Sequence, residues 1–164
     1  ALGQLVVLVL IVALAFCARL RDGKLMPLLL IPRREGYVGF ETSVPLSIGR
    51  VDALLAEVHA FFKEHALAES LAMHVEVCSE ELLKNIIEHG FDKHVDKRFI
   101  DYRLSLVDGE VRVIITDDGK AFNPVEYDND TGLGLLLVRG LCDEIKYDYL
   151  FSQNRVTVTF QRHG

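Results

Sequence analysis

The chain has 164 residues and a formal net charge of −6, which is enough length for one compact domain with an appendage. The charge is uneven: residues 1–36 carry five basic and two acidic side chains, whereas residues 37–164 carry thirteen basic and twenty-two acidic ones. An acidic domain lacks the concentrated basic face that nucleic-acid binding needs, so no nucleic-acid partner is expected. The three cysteines match neither a disulfide framework nor a zinc-ligand spacing, which indicates a reducing compartment.

The first eighteen residues, ALGQLVVLVLIVALAFCA, are uncharged and just long enough to cross a bilayer as a helix. Basic residues follow directly, at Arg19, Arg21 and Lys24, and such a flank tends to stay in the cytoplasm. The sequence therefore predicts a transmembrane helix over residues 1–20, a basic and apolar linker over residues 21–36, and a membrane-anchored protein whose remaining residues lie in the cytoplasm. A buried core helix is the alternative interpretation of the first segment.

Residues 37–164 alternate between strand-like and helix-like patterns. Apolar residues recur at helical spacing after Ser47, a good N-cap, and again up to Gly90, a typical helix stop. Alternating apolar residues flank the Asp108-Gly109 pair, which is typical of a hairpin turn. The predicted elements are, in order, a strand at 37–46, a helix after residue 47, a helix at 70–89, strands around 100–106 and 111–115, a loop at 117–131, a helix at 133–142, and a final hairpin of strands at 145–151 and 155–161.

This order of elements predicts an α+β fold. Consecutive strands joined by short turns pair antiparallel, and the helices then pack together on one face of the sheet. The predicted architecture is a two-layer α/β sandwich with a mixed, mostly antiparallel sheet.

The second predicted helix carries polar side chains beside its apolar stripe. In EELLKNIIEHG, the residues Glu81, Asn85 and His89 follow one another at i, i+4 steps and fall within an arc of about 80°. A core helix normally has Leu or Val there, and burying a polar group without a partner costs on the order of 1–3 kcal/mol. These side chains therefore either face a ligand cleft or are solvated or paired locally.

Two further stretches lie where the chain changes direction. TDDGKAFNP follows a predicted strand, and TGLGLLLVRGL places Gly132 and Gly134 before a helix, where exposed backbone N–H groups attract phosphate. Each has a plainer interpretation alone, with Asp118-Gly119 as a simple turn and TGLG as a flexible helix entry. The three stretches together, in this order, favour a nucleotide site.

Together the three stretches resemble the nucleotide-binding boxes of the GHKL (Bergerat) ATPase superfamily. EELLKNIIEHG resembles the N box, DDGKAF the first glycine box and TGLG the second, and the resemblance covers residues 37–164. The closest variant is the anti-sigma factor serine kinase type, because SEELLKNIIEHG places a Glu four residues before the Asn. The predicted membrane helix, the LLLIP linker and NIIEHGF also resemble the C-terminal extension of some MATE-type (multidrug and toxin extrusion) transporters.

The resemblance implies an ATP-binding domain with a GHKL-type sandwich and a role for each matching residue. Asn85 offers a neutral oxygen to Mg²⁺, and Glu81, one turn earlier, is the catalytic base that accepts a proton from the attacking hydroxyl. Asp117 hydrogen-bonds the adenine amino group, and Gly119 lets the backbone approach the base. The other implied nucleotide-binding residues are Lys120, Phe122, Thr131, Gly132, Leu133 and Gly134.

The segment between the glycine boxes, residues 123–130, contains no Lys or Arg, although phosphoryl transfer normally uses a cation near the γ-phosphate. Lys120 and Arg139 are the nearest candidates. The leading hypothesis is a serine/threonine protein kinase that transfers phosphate from ATP, with Mg²⁺, to a small protein of the anti-sigma factor antagonist kind; a homodimer is a further expectation. The alternatives are a non-catalytic ATP-sensing domain attached to a membrane transport protein, and a scaffold with a degenerate nucleotide site.

Overall fold

The computed structural model describes residues 38–45, 47–91, 98–126 and 133–162, and their secondary structure follows the predicted order. The described elements are β1 (Val38–Pro45), α1 (Ile48–Glu64), α2 (Glu69–His89), β2 (Phe99–Val107), β3 (Glu110–Asp117), α3 (Leu133–Leu141), β4 (Glu144–Leu150) and β5 (Gln153–Gln161). Ser47 has the extended backbone of an N-cap for α1, although its side chain forms no capping hydrogen bond.

The five strands form one sheet in the order β1-β2-β3-β5-β4, and each neighbouring pair is antiparallel. Two tight turns set the register: Asp108 and Gly109 (φ 52° and 85°) join β2 to β3, and Phe151 and Ser152 (φ 53° and 61°) join β4 to β5. Left-handed backbone at both central positions of a two-residue turn matches the twist of the flanking strands. The predicted two-layer α+β sandwich is confirmed, with a sheet that is antiparallel throughout the described strands rather than mixed.

Alternate residues of the three central strands point to one face of the sheet and pack against the helices in a single core. The strand residues of this core include Ile100, Tyr102, Leu104, Val111, Val113, Ile115, Val156, Val158 and Phe160. Asp117 and Asn154 continue the same face, because they pair at the end of β3 and the start of β5. The described core is built from β1 and later elements and Tyr37–Gly164 forms one compact unit, so we propose that the domain begins at residue 37.

The structure corrects the prediction of a membrane-anchored protein. No helix among the described residues is long and apolar enough to cross a membrane. The longest, α2, has 21 residues, but it includes charged side chains such as Glu69 and Glu76, and its apolar face is used in the core. Charged side chains are costly inside a bilayer. The predicted transmembrane helix (1–20) and linker (21–36) lie outside the described residues.

Candidate functional site

A cavity of about 220 Å³ opens between the C-terminal half of α2, the segment after β3 and the start of β5. Polar side chains line it from three elements: Asn85 and His89 from α2, Asp117 from β3 and Asn154 from β5. The rest of the lining is largely apolar and includes Leu82, Ile86, Ala121, Phe122, Pro124, Leu135 and Val156. This volume is below the roughly 300–1,000 Å³ of sites for drug-sized molecules. The described walls therefore suit one ring system rather than a whole nucleotide.

Asp117 is a buried carboxylate with one oxygen already engaged. It ends β3 with 5% of its surface exposed. Its Oδ1 accepts hydrogen bonds from the Gly119 N–H at 2.8 Å and from the Asn154 side-chain amide at 2.9 Å. Burial raises the pKa of Asp117, and these two hydrogen bonds oppose the rise because they stabilise the ionised form. Both hydrogen bonds that the described residues donate to this carboxylate end at Oδ1. Oδ2 is therefore the oxygen that can accept a hydrogen bond from a ligand.

The loop after β3 lies directly against the end of α2. The Lys120 N–H donates to the Gly90 carbonyl oxygen at 2.7 Å. A Cβ added at Gly119 would lie 2.5 Å from the same oxygen and 2.8 Å from Asp117 Oδ1, which is too close for any side chain. A Cβ at Gly90 would lie 2.6 Å from the Ile86 carbonyl oxygen. The absence of a side chain at Gly119 therefore lets the first glycine box contact the N box through the backbone, whereas Gly90 avoids a clash within its own helix.

Glu81 lies outside the cavity, beside the first turn of α3. A methyl group added at Gly134 would overlap the Glu81 Oε2 atom. Asn85, one turn further along α2, lines the cavity. Asn85 therefore lies at the cavity, and Glu81 lies between Asn85 and the N-terminus of α3 along the same face of α2. Leu133 opens α3 with 76% of its surface exposed, and Thr131 and Gly132 lie outside the described residues.

The structure thus brings Asn85, Asp117, Lys120 and Phe122 together around one cavity, and Gly119 contacts that cavity through its hydrogen bond to Asp117. Their roles toward a ligand stay predictions. Arg139, the other candidate cation, contacts the backbone that follows the first glycine box. Its Nη2 atom donates to the carbonyl oxygens of Pro124 at 2.8 Å and Val125 at 3.0 Å, so it holds the start of the segment between the glycine boxes.

Two residues of this site were not predicted from the sequence. Asn154 lies opposite Asp117 in the β3–β5 pair and is only 4% exposed. Tyr147 of β4 donates its hydroxyl to Asn154 Oδ1 at 2.8 Å. The register of β5 against β3 places Asn154 beside Asp117, and no local signal in the sequence gives that long-range pairing. The register of the last hairpin could have placed Tyr147 near Asn154, because Tyr149 pairs with Asn154 and Tyr147 with Val156.

Comparison with protein families decides the classification. Residues 44–162 match the model of the histidine kinase-like ATPase domain. The chain belongs to this family. The resemblance to the GHKL superfamily, read from three short motifs, is thereby confirmed. A comparison with curated protein sequences gave no match, and nothing in these comparisons supports the resemblance to a transporter extension.

Solved structures show the same fold for this ATPase domain. It is similar to the RsbU and RsbW domains of Rv1364c from Mycobacterium tuberculosis, with a TM-score of 0.60 and 20% identity, over 76% of this chain and 32% of that one. It is also similar to the histidine kinase domain of the EL346 blue-light activated histidine kinase from Erythrobacter litoralis. That likeness has a TM-score of 0.50 and 19% identity, over 72% of this chain and 61% of that one. The chain therefore spans less than two thirds of either relative, and the likeness is one of fold.

Proposed function

We propose that this ATPase domain binds ATP with Mg²⁺ and transfers the γ-phosphoryl group to a hydroxyl of a partner protein of the anti-sigma factor antagonist kind. The observation that carries the proposal is the meeting of Asp117 and Asn85 in one largely apolar cavity. The kinase type rests on the resemblance of SEELLKNIIEHG to the N box of that group, and the likeness to a structure with an RsbW domain agrees at the level of fold. No observation among the described residues supports the expected homodimer or an attached transporter.

Adenine recognition is assigned to Asp117. Its Oδ2 atom is available to accept a hydrogen bond from the adenine amino group, while apolar side chains such as Ile86 and Phe122 can contact the ring. Guanine carries a carbonyl oxygen at the corresponding position. Two acceptors facing each other repel, so the same carboxylate selects against GTP.

Asn85 fits a Mg²⁺ ion that would be held largely by the nucleotide, and Glu81, one turn earlier on α2, is the proposed base. The described residues contain no group of three or more His, Cys, Asp or Glu side chains that could hold a metal ion. In nucleotide sites Mg²⁺ is usually bound by one or two protein oxygens, with phosphates and waters completing the octahedron. Asn85 would supply such an oxygen, and a bound ion would neutralise charge on the phosphate oxygens. Glu81 accepts the proton of the attacking hydroxyl.

Replacing Asn85 with Ala is expected to abolish the Mg²⁺ dependence of ATP binding. The native protein should bind ATP more tightly with Mg²⁺ than with excess chelator, because a ligand oxygen on α2 contacts the ion. Asn85→Ala should bind ATP weakly and equally in both conditions. Asn85→Asp, which keeps an oxygen, is the control and should retain the dependence. The measurement is a calorimetric titration with ATP. If the native protein binds ATP equally well with Mg²⁺ and with excess chelator, the proposed role of Asn85 as a metal ligand is contradicted.

A non-catalytic ATP sensor is the second candidate, and a specific observation favours it. Lys120 is the one Lys or Arg among the described residues that line the cavity. Arg139 donates instead to the carbonyl oxygens of Pro124 and Val125. Phosphoryl transfer normally uses a cation near the γ-phosphate. Single-turnover transfer from labelled ATP separates the candidates, since a sensor binds ATP without consuming it.

Gly134→Ala tests the position of Glu81. The added methyl group must displace the Glu81 carboxylate, which is the flexible end of a long side chain, so the fold should tolerate the change. Alanine also favours helix over glycine by about 1 kcal/mol. We expect thermal stability to stay the same or rise while phosphoryl transfer falls. Gly140→Ala on the same helix, where an added Cβ meets nothing within 4 Å, is the matched control and should leave transfer unchanged. If Gly134→Ala and Gly140→Ala transfer phosphate at the same rate, the position of the Glu81 carboxylate does not matter for transfer.

A further inference from the structure

Asn154 forms hydrogen bonds through both the nitrogen and the oxygen of its side-chain amide. Its Nδ2 donates to Asp117 Oδ1 at 2.9 Å and to the Lys120 carbonyl oxygen at 3.0 Å, with the Gly119 carbonyl oxygen at 3.4 Å. Its Oδ1 accepts from the Phe122 N–H at 3.2 Å and from the Tyr147 hydroxyl at 2.8 Å. One side chain on β5 therefore connects β3, β4 and the backbone at Gly119, Lys120 and Phe122 of the first glycine box.

These contacts use the full hydrogen-bonding capacity of the amide, which has two N–H donors and an oxygen with two lone pairs. They also fix its orientation. If the amide were turned over, its oxygen would face the Asp117 carboxylate and the Lys120 carbonyl, and two acceptors would repel at each place. An amide that is saturated in this way has no group left for a ligand, so any role in binding acts through its neighbours.

We propose that Asn154 is a positioning residue for base recognition: it holds the Asp117 carboxylate ionised and engaged at Oδ1, which leaves Oδ2 for the ligand, and it fixes the backbone of residues 119–122 below the base. The proposal rests on the proposed binding of adenine at Asp117. A carboxylate at this depth tends to bind a proton, and a protonated carboxyl would lose much of its strength as an acceptor. Asn154 opposes that tendency, because its N–H stabilises the charged form.

Among the residues that the structure describes, four other titratable or charged groups face the same carboxylate or the same cavity. Asp118 is the next residue and raises the pKa of Asp117, whereas Tyr147 of β4 has its own pKa raised by burial and by the Asp117 charge. Lys120 and His89 line the cavity from the loop and from α2. A test of the role of Asn154 must therefore measure the pKa of the Asp117 carboxyl directly, because these other groups also titrate or carry charge.

The first experiment needs no nucleotide. The side-chain carboxyl of Asp117 is followed by ¹³C NMR during a pH titration of the native protein and of Asn154→Leu, which keeps the shape of the side chain but removes its donors and acceptors. We expect the pKa of Asp117 to be higher in the variant. An unchanged pKa would overturn the proposal. Far-UV circular dichroism checks that the variant folds.

Tyr147→Phe keeps the proposal testable if Asn154→Leu does not fold. It removes only the hydroxyl that holds Asn154 Oδ1, on a strand at the sheet edge. We expect the same direction of change in the pKa of Asp117, with a smaller size. Tyr149→Phe, two residues along the same strand and half-exposed, is the matched control and should show no change. Identical titrations for Tyr147→Phe and its control would count against the proposal.

The second experiment measures ATP affinity against pH. Since ionised Asp117 is the acceptor, affinity should fall as the pH drops through its pKa, and in Asn154→Leu this fall should occur at higher pH. At neutral pH the loss should be roughly ten- to hundredfold, the usual effect of removing a hydrogen bond to a charged group. A purely structural role would lower affinity by one factor at every pH. His89→Gln controls for the imidazole in the cavity.

The two proposals can fail separately. If Asp117→Asn weakens ATP binding but Asn154→Leu moves neither the pKa of Asp117 nor the pH profile, the positioning role is wrong and adenine binding stands. If the native protein does not bind ATP, the proposed function fails, and the nucleotide-free titration still decides whether Asn154 controls the charge of Asp117.

Discussion

Glu81→Gln is expected to slow phosphoryl transfer by roughly 10²–10⁴-fold, the usual contribution of a positioned general base. Glutamine keeps the size of the side chain and most of its hydrogen bonding but cannot accept the proton. ATP binding should survive nearly intact, because Glu81 lies beside Gly134 and outside the cavity that holds Asn85 and Asp117. Single-turnover transfer and an equilibrium ATP titration, made on the same preparation, measure the two quantities.

The matched control is Glu80→Gln. Glu80 is the preceding residue of α2, and its carboxylate pairs with Lys84 at 2.5 Å. A surface pair of this kind contributes about 0–1 kcal/mol to stability, so its removal should change neither binding nor transfer. If the native protein transfers phosphate and Glu81→Gln does so at the same rate, Glu81 is not the base. If the native protein binds ATP and transfers nothing, the domain is the nucleotide sensor.

Asp117→Asn is expected to weaken ATP binding by about 1–3 kcal/mol, the cost of replacing an acceptor by a group that opposes the adenine amino group. In affinity this is roughly a 5- to 150-fold loss. Asp118→Asn is the matched control. It changes the neighbouring carboxylate, which is half-exposed and forms an ion pair with Arg98. That variant should keep the native preference for ATP over GTP. Calorimetric titration of the two variants with both nucleotides makes the comparison.

Asp117→Asn should weaken ATP binding without lowering the stability of the nucleotide-free domain. Burial raises the pKa of Asp117 in the folded domain. A carboxyl with a raised folded pKa contributes stability at low pH that is lost as the pH rises through that pKa, so at neutral pH the ionised group opposes folding. Asp117→Asn removes this charge. We therefore expect the nucleotide-free variant to unfold at the same temperature as the native protein or a higher one, measured by thermal circular dichroism at neutral pH. A large loss of stability would indicate a structural role instead.

Much of this fold follows from local chemistry. The Asp108-Gly109 turn and the apolar stripes of α1 and α2 each have a physical cause that acts within a few residues. The predicted end of α2 at Gly90 is also observed, although Gly90 has right-handed backbone (φ −72°) and not that of a left-handed cap. Asn85 could be assigned to a site because a polar side chain stands there where a core position is expected, whereas Asp117 is assigned through the resemblance of DDGKAF to the first glycine box. For such residues the sequence pattern and the packing agree.

The position of Asn154 could not be predicted in this way. The sequence assigns residues 152–154 to the turn of the last hairpin, where Asn is a common turn residue. In the structure the turn is Phe151-Ser152, two non-glycine residues with left-handed backbone, and β5 begins at Gln153. A turn without Gly, Asn or Asp leaves no local signal. The two-residue turn leaves Asn154 inside β5, and the separate, long-range pairing of β5 with β3 places it opposite Asp117.

Gly134 is a second residue whose role could be predicted only in part from the sequence. The sequence predicts a glycine that opens a helix N-terminus to phosphate. The structure adds a reason that depends on another helix, because a side chain there would overlap the Glu81 carboxylate. The packing of α2 against α3 brings these residues together, and no spacing within the TGLG segment contains that information. Long-range packing of this kind also explains the contact between Gly119 and Gly90.

The most direct test is a calorimetric titration of the native protein with ATP and with GTP, in the presence of Mg²⁺ at neutral pH. Binding of adenine at Asp117 predicts saturable one-to-one binding of ATP and a clearly weaker affinity for GTP. Absence of ATP binding up to about 1 mM, where the binding free energy is only about −4 kcal/mol, would contradict it. Equal affinity for the two nucleotides would contradict it as well, because an acceptor at Asp117 must distinguish the two bases.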